Sequence, residues 1–154
     1  MSKTRQIGTW GEQLVAHWLR CQGWQILQHQ YRTRWGEIDL IGMSPTQTTI
    51  IFVEVKTRSH RNWDSDGLLA VTSTKQEKLI LSAQWFLAQH PEFADYCCKF
   101  DVALVRWQSN KSPTKTQMQP MNHFQYPIRI GEVVNSPMGD LILQQYIESA
   151  FWSC

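Results

Sequence analysis

The chain has 154 residues, 42% of them hydrophobic, and a formal net charge of only +2. This length predicts one domain with a buried core and is too short for us to expect a second. So small a charge does not by itself identify a nucleic-acid-binding protein.

The sequence lacks the usual signals of membrane insertion and export. It contains no run of about 18 apolar residues that could span a membrane, and residues 1–5 lead into a polar amphipathic segment rather than a signal-peptide core. The four cysteines show no Cys-x-x-Cys spacing, which argues against a zinc site and a disulfide framework. We therefore expect a cytoplasmic protein with reduced thiols and no membrane partner.

A first helix is predicted from about residue 5 to residue 22, where apolar residues recur at helical spacing up to Gly23. Glu12 falls at the edge of this apolar stripe rather than on the opposite side of the helix. A carboxylate in that position can face an adjoining sheet, so Glu12 is a candidate site residue.

Strands are predicted next at 24–32, 36–43 and 48–58, with a turn at 44–47 between the last two. The polar residues 59–72 are expected to form a loop, and such loops often contact substrate.

A second helix is predicted to be capped by Ser73 and to end at Pro91, with Gln76 as the polar member of its inward stripe. Residues 99–107 then form a further predicted strand, in which Asp101 has apolar neighbours.

The last third of the chain is less regular. Residues 109–139 are expected to form a flexible or inserted excursion, within which 124–134 return as a strand, and apolar residues in 141–150 fit a short closing helix. Together these elements predict one α/β domain over 1–154, with a central mixed sheet flanked by helices.

Charged side chains interrupt the two most apolar strands. Side-chain alternation places Glu54 and Lys56 on one face of their strand, and Glu37 and Asp39 on one face of the preceding strand, with Ile38 and Leu40 opposite. If the two strands pair as a hairpin, Asp39 and Glu54 converge. Buried charges need a partner or a metal ion, so this cluster predicts a site.

The residue types in this cluster suit metal-assisted phosphodiester hydrolysis. Asp39, Glu54 and the Val55 carbonyl would offer hard oxygen ligands to Mg²⁺ or Mn²⁺, and Glu12 could complete the metal shell. Lys56 would stabilise negative charge that develops on the phosphate. Gln76 could hold the attacking water or Lys56 by hydrogen bonding.

Basic residues concentrate around the acidic cluster. The predicted phosphate contacts are Arg32, Arg34, Arg58 and Arg61. Trp35 and Trp63 lie beside turns and basic residues, and they are better candidates for base stacking than Trp10 and Trp18, which lie on the helical stripe.

In combination these segments resemble the PD-(D/E)xK nuclease superfamily and, more closely, the YraN-like bacterial family, which is related to archaeal Holliday-junction resolvases. The resemblance covers about 5–108, although Ile38 stands where the superfamily has proline. It rests on 8–12 (GTWGE), 36–41 (GEIDLI), 52–58 (FVEVKTR), 75–76 (KQ) and 100–102 (FDV).

The resemblance implies a restriction-endonuclease-like three-layer domain. It also implies that Glu12, Asp39, Glu54 and Lys56 form the nuclease-like site, with Gln76 in support. The implied substrate is DNA rather than RNA, with a structured or damaged form such as a junction, and cutting a junction would require a symmetric homodimer.

The residues leave two alternatives open. One is a non-catalytic nucleic-acid-binding module that keeps the nuclease fold, and the other is an interaction protein whose acidic cluster is a structural ion network. Asp101 is either a structural acid or a site residue, and Glu37 either pairs with Arg32 or Arg34 or approaches the metal.

Overall fold

The structure is a computed structural model that describes residues 2–59, 71–109, 124 and 127–153. Its helices are α1 (Lys3–Cys21), α2 (Ser73–Gln89) and a short 3₁₀ helix (Pro91–Phe93). Its strands are β1 (Gln25–Thr33), β2 (Gly36–Ser44), β3 (Thr49–Arg58), β4 (Cys97–Gln108), β5 (Val133–Ser136) and β6 (Gly139–Ser153).

The strands form one mixed six-stranded sheet in the order β1-β2-β3-β4-β6-β5. Only β3 and β4 pair in parallel, and α2 lies in the connection between them, whereas the other neighbours are antiparallel. This is the predicted α/β architecture, a three-layer arrangement of the restriction-endonuclease-like type. Neither α1 nor α2 is long and apolar enough to span a membrane.

Each helix covers its own hydrophobic core on the sheet. Leu14, Val15 and Leu19 of α1 pack on a cluster that includes Ile51 and Val53. The cluster under α2 contains Leu79, Ala83, Phe86, Ile50, Phe52 and Phe100. The alternation predicted for β3 is therefore confirmed, since its successive apolar side chains enter opposite cores.

The start of α2 differs slightly from the prediction. Thr72, not Ser73, is the N-cap, and its hydroxyl accepts a hydrogen bond from the Lys75 amide. This cap places Lys75 in the first turn of the helix, close to the ends of the central strands.

The predicted closing helix over 141–150 is wrong. These residues belong to β6, which pairs with β4 from Asp140 to Ser153. Leu141 and Leu143 enter the core under α1, while Ile147 and Ala150 pack on the core under α2. Register shifts in the β4–β6 pairing interrupt simple alternation along β6, so its apolar residues can imitate helical spacing.

The predicted excursion over 109–139 is only partly described. Its C-terminal part contains β5, which pairs with the beginning of β6. The return strand predicted at 124–134 is misplaced, because the strand begins at Val133 and residues 127–130 are not in a strand. Residues 110–123, 125 and 126 lie outside the described residues.

Asp101 has a structural role. It is 1% exposed, and it accepts hydrogen bonds from the Tyr146 hydroxyl (2.5 Å) and the Ser149 amide (2.9 Å), with Lys99 Nζ at 3.9 Å. Burial raises the pKa of Asp101 above its ordinary value, although these hydrogen bonds act in the opposite direction. The carboxylate therefore connects β6 to β4. It does so where the β6 backbone is irregular, since Ser149 has a φ of 47°.

Asp101→Asn is expected to lower the free energy of unfolding by about 1–2 kcal/mol, because a neutral amide accepts more weakly and directs an N–H group at Tyr146. Urea denaturation would measure the loss, with the exposed Asp95→Asn as the matched control. A loss no greater than that of the control would contradict the structural role.

Candidate active site

The site forms where β2 separates from β3. Their pairing runs from Ser44–Thr49 to Leu40–Val53 and does not continue to Asp39 and Glu54. Instead, the Val55 amide donates to Asp39 Oδ2 at 2.7 Å. Asp39 therefore approaches β3 as predicted, but the contact is made by its carboxylate across the space between the separating strands and not by backbone pairing.

Strict alternation fails at Asp39. Ile38 packs in the core under α2 and Leu40 in the core under α1, so the prediction that they share a face is wrong. The pairing of β1 with β2 also omits Gln30 opposite Asp39, and Gln30 has a φ of 50°. This local irregularity in both strands is what turns Asp39 towards β3.

Helix α1 delivers Glu12 to the same place. The helix approaches β3 closely at Gly11, where an added Cβ would overlap the Thr57 hydroxyl. Glu12 Oε2 accepts a hydrogen bond from Gln30 Nε2 at 3.0 Å, and Glu12 lies close enough to Asp39 for its charge to raise the pKa of that acid. Glycine at position 11 is thus what permits the short distance between helix and strand.

Alanine at positions 8 and 11 should have opposite effects. Gly11→Ala is expected to cost about 1–2 kcal/mol of unfolding free energy, because the methyl group forces α1 or Thr57 to move. Gly8→Ala meets nothing within 4 Å and should stabilise α1 by about 0.5–1 kcal/mol. Thermal melts of both variants check this, and stabilisation by Gly11→Ala would refute the close packing.

Glu54 is the central buried charge, with 4% exposure. Its Oε1 atom contacts two ammonium groups, Lys56 Nζ at 3.2 Å and Lys75 Nζ at 2.5 Å. Its Oε2 atom is buried and has no hydrogen-bond partner among the described residues. A buried carboxylate oxygen without a partner is costly, so Glu54 retains an unused acceptor.

Lys75 is the site residue that sequence reasoning missed. In the sequence, Lys75 stands out only as the neighbour of Gln76 in the segment 75–76 that resembles a family motif. Gln76 Nε2 instead donates to the Val71 carbonyl at 3.0 Å, so its amide secures the segment before α2. A role for Gln76 towards water or Lys56 stays a prediction.

The cluster raises the pKa of its acids. Burial, together with the charges of Glu37 and Glu54, raises the pKa of Glu12 to about 7. Burial and the charges of Glu54 and Glu12 raise the pKa of Asp39 well above its ordinary value. Glu12 is therefore partly protonated near neutrality.

The two lysines shift in opposite directions. Burial and the adjacent Lys75 lower the pKa of Lys56. Burial also acts to lower the pKa of Lys75, but its contact with Glu54 outweighs this and raises it. With all groups ionised, three carboxylates face two ammonium groups, so the cluster retains one negative charge.

A hard divalent cation fits part of this donor set. Within the described ranges, no three carboxylate, imidazole or thiolate side chains lie close enough to form a metal site by themselves. Mg²⁺ commonly uses one or two protein carboxylates and keeps several waters. The free Glu54 Oε2 and the adjacent Asp39 carboxylate meet that requirement.

The Val55 carbonyl is a further oxygen donor at the same edge. In a strand, the N–H and C=O groups of one residue point to the same side. The Val55 amide points towards Asp39, so its carbonyl also faces the side where β2 has left β3. Asp39 and the Val55 carbonyl therefore lie at the same edge of β3, and metal binding by Asp39, Glu54, Val55 and Glu12 stays a prediction.

Two open clefts adjoin the cluster. The α1 cleft has a volume of about 810 Å³. Its lining includes Lys3, Gly8, Glu12, Val55, Lys56, Arg58 and Trp107. The α2 cleft, of about 340 Å³, is lined by Trp35, Gly36, Glu37, Thr72, Thr74, Lys75, Lys78 and Leu79. Lys56 and Lys75 each line one cleft and contact the same oxygen of Glu54.

Among the predicted phosphate-binding arginines that the structure describes, Arg58 and Arg34 are associated with different clefts. Arg58 lines the α1 cleft, whereas the Arg34 guanidinium lies 4.5 Å from the centroid of Trp35, a residue of the α2 cleft. Arg32 pairs with Glu37 at 2.9 Å, which is one of the two roles considered for Glu37. Arg61 lies outside the described residues.

Fold and site together define a three-layer α/β protein with a buried carboxylate–lysine cluster at a strand divergence. The chain belongs to the uncharacterised protein family UPF0102, whose family model matches residues 11–105. That segment contains all five predicted catalytic residues, Glu12, Asp39, Glu54, Lys56 and Gln76. The predicted membership of the YraN-like family is confirmed.

Curated relatives match the chain over most of its length. A UPF0102 protein of Acaryochloris marina is 46% identical, over 97% of this chain and 92% of its own length. A UPF0102 protein of Trichodesmium erythraeum is 42% identical, over 98% of this chain and 91% of its own. One from Synechocystis is 43% identical, over 94% and 97% respectively.

Proposed function

We propose that this protein is a divalent-metal-dependent endonuclease that hydrolyses phosphodiester bonds in DNA. One observation carries the proposal: the buried Glu54 Oε2 atom has no hydrogen-bond partner among the described residues. Asp39 and Lys56 nevertheless lie close to Glu54, where β2 separates from β3. A structural ion network would be expected to use both oxygens of its central carboxylate.

The donor set assigns a task to each side chain. Asp39 and Glu54, with the Val55 carbonyl, would hold Mg²⁺ or Mn²⁺, which polarises a phosphoryl oxygen and acidifies a bound water when present. Lys56 lines the α1 cleft, where its ammonium can contact a phosphate oxygen. Glu12, with a pKa of about 7, can accept a proton at neutral pH.

Lys75 has a supporting task in this scheme. Its contact with Glu54 Oε1 leaves only Oε2 for another ligand, and it neutralises part of the repulsion among the three acids. It therefore orients Glu54 so that the unused oxygen stays available.

The finer parts of the proposal come from resemblance. The resemblance to the PD-(D/E)xK superfamily and to archaeal junction resolvases favours structured or damaged DNA over RNA as the substrate. Paired cuts at a junction would require a homodimer, and a DNA substrate in a bacterium implies a cytoplasmic location.

The test is incubation with labelled duplex, single-stranded, flap and four-way DNA in Mg²⁺ or Mn²⁺. We expect divalent-ion-dependent cleavage of at least one DNA form, abolished by EDTA. Cleavage that persists in EDTA would refute the metal-dependent mechanism, and no cleavage of any DNA form would refute the nuclease assignment.

A second candidate is the non-catalytic nucleic-acid-binding module. The observation in its favour is that Lys56 and Lys75 already neutralise Glu54 at Oε1. This candidate predicts salt-sensitive DNA binding without cleavage, and binding that Glu54→Ala leaves unchanged.

A further inference from the structure

The α2 cleft is a separate concavity on the other side of the acidic cluster from the α1 cleft. Its walls are the β1–β2 turn with Trp35, the start of β2 with Gly36, and the first two turns of α2, which contribute Lys75 and Lys78. At about 340 Å³ it is near the lower end of the range for small-molecule pockets, which suits one nucleotide.

Aromatic surface is exposed along this cleft. Trp35 packs edge-on against Trp85, with ring centroids 6.0 Å apart, and Trp85 remains 48% exposed. Neither ring belongs to the core under α2, and Trp35, which lines the cleft, is half-buried. Aromatic rings at the rim of a polar cleft are the usual platforms for stacked bases.

Two cations accompany Trp35 at this cleft. Arg34 lies over Trp35, and Lys78 lines the cleft together with Trp35. Lys78 makes no ion pair with any residue that the structure describes. The acid of the cleft, Glu37, is neutralised by Arg32. Basic groups beside aromatic rings are typical of surfaces that bind single-stranded nucleic acid.

Lys75 connects the cleft to the acidic cluster. It lines the cleft and also contacts Glu54. A nucleotide seated between Trp35 and Lys78 would therefore lie next to the carboxylates proposed to hold the metal ion.

We propose that the α2 cleft is a binding subsite for one unpaired nucleotide of the substrate strand, with its base against Trp35 and its phosphate against Lys78. The inference rests on the proposed nuclease function and narrows its substrate class. The substrate must contain single-stranded nucleotides next to the scissile bond, as a flap or an open branch point does.

Binding without turnover tests the subsite. A short fluorescent single-stranded oligonucleotide and a matched duplex would be titrated with the full chain in EDTA, with anisotropy as the readout. Trp35→Ala is expected to weaken single-strand binding about tenfold and duplex binding much less, whereas Trp35→Phe retains most of the affinity. Lys78→Gln should weaken single-strand binding and reduce its salt dependence, because a phosphate contact is lost.

The control variant is Arg129→Gln, which removes an exposed cation from the segment before β5, at the opposite edge of the sheet from β1. Equal losses for Lys78→Gln and Arg129→Gln would overturn the subsite, as would unchanged single-strand affinity in Trp35→Ala. If Trp35→Ala instead abolished a dimer without changing oligonucleotide affinity, the aromatic surface would be a contact between copies and the proposal would fail.

Measuring single-strand binding and cleavage separately distinguishes this inference from the nuclease proposal. Trp35-dependent single-strand binding without cleavage in Mg²⁺ or Mn²⁺ would support the subsite and refute the enzyme. Cleavage that is indifferent to Trp35 and Lys78 would support the enzyme and refute the subsite.

Discussion

Glu54→Gln is expected to reduce metal-dependent DNA cleavage by at least about 10³-fold while the protein remains folded. The substitution keeps the size of the side chain but replaces one carboxylate oxygen with an NH₂ group, which cannot ligate a cation, and removes the negative charge. Both the charge that holds the divalent ion and the counter-charge for Lys56 and Lys75 are lost. A loss of this size corresponds to about 4 kcal/mol of transition-state stabilisation.

Single-turnover cleavage of whichever DNA form the wild type cuts would measure this effect, together with circular dichroism to confirm folding. Glu92→Gln is the matched control, because Glu92 is an exposed acid in the 3₁₀ helix. It should cleave at the wild-type rate. Activity of Glu54→Gln within a few-fold of the control would refute the proposed mechanism.

The stability of the metal-free protein is expected to fall as the pH rises from about 4.5 to 7. Glu12 has a folded-state pKa of about 7 against an ordinary value of 4.5, and the pKa of Asp39 is also raised. In this window the folded state binds more protons than the unfolded state, so a rise in pH favours unfolding. After allowance for the partial exposure of Glu12, the loss is about 2 kcal/mol.

A divalent cation should reverse this loss. Mn²⁺ or Mg²⁺ would compete with protons for the carboxylates, so it should raise the melting temperature at pH 8 and have little effect at pH 5. Thermal melts at both pH values, with and without the ion, give the result.

The amide variant Glu12→Gln provides the control for this linkage. It removes one titrating group, so it should flatten the pH dependence of the metal-free protein and be more stable than the wild type at pH 8. A pH profile identical to that of the wild type would show that Glu12 does not titrate as proposed. Equal stabilisation by the ion at pH 5 and pH 8 would argue against binding at the carboxylates.

Much of the site was predictable because strand periodicity is local. The alternation of Ile50, Phe52 and Glu54 on one face of β3 depends only on extended backbone, and the structure confirms it. The approach of Asp39 to β3 also followed from adjacency in sequence. The prediction of regular alternation through Ile38 and Leu40 was wrong. The backbone irregularity at Asp39 puts these two side chains in different cores, and no local sequence pattern indicates it.

The position of Lys75 and the strand β6 could not be predicted from the sequence, for a different reason. Lys75 is 21 residues from Glu54 in the chain, and only the packing of α2 on the sheet brings them together. The apolar residues of β6 imitated a helix because register shifts in its pairing with β4 break the alternation, and β6 contributes to both cores. Both facts depend on contacts between distant segments, which no local pattern encodes.

The sequence by itself determined the chemical inventory of this protein, including the acids in apolar strands and the family to which the chain belongs. It did so because charged residues within apolar segments, and the alternation of side chains along a strand, are visible in short stretches of sequence. The tertiary structure alone decided that Glu54 receives two ammonium groups on one oxygen and none on the other. That asymmetry arises because Lys75 of α2 and Lys56 of β3 both contact Oε1, whereas β2 no longer pairs with β3 at Glu54, and it is the basis of the proposed metal site.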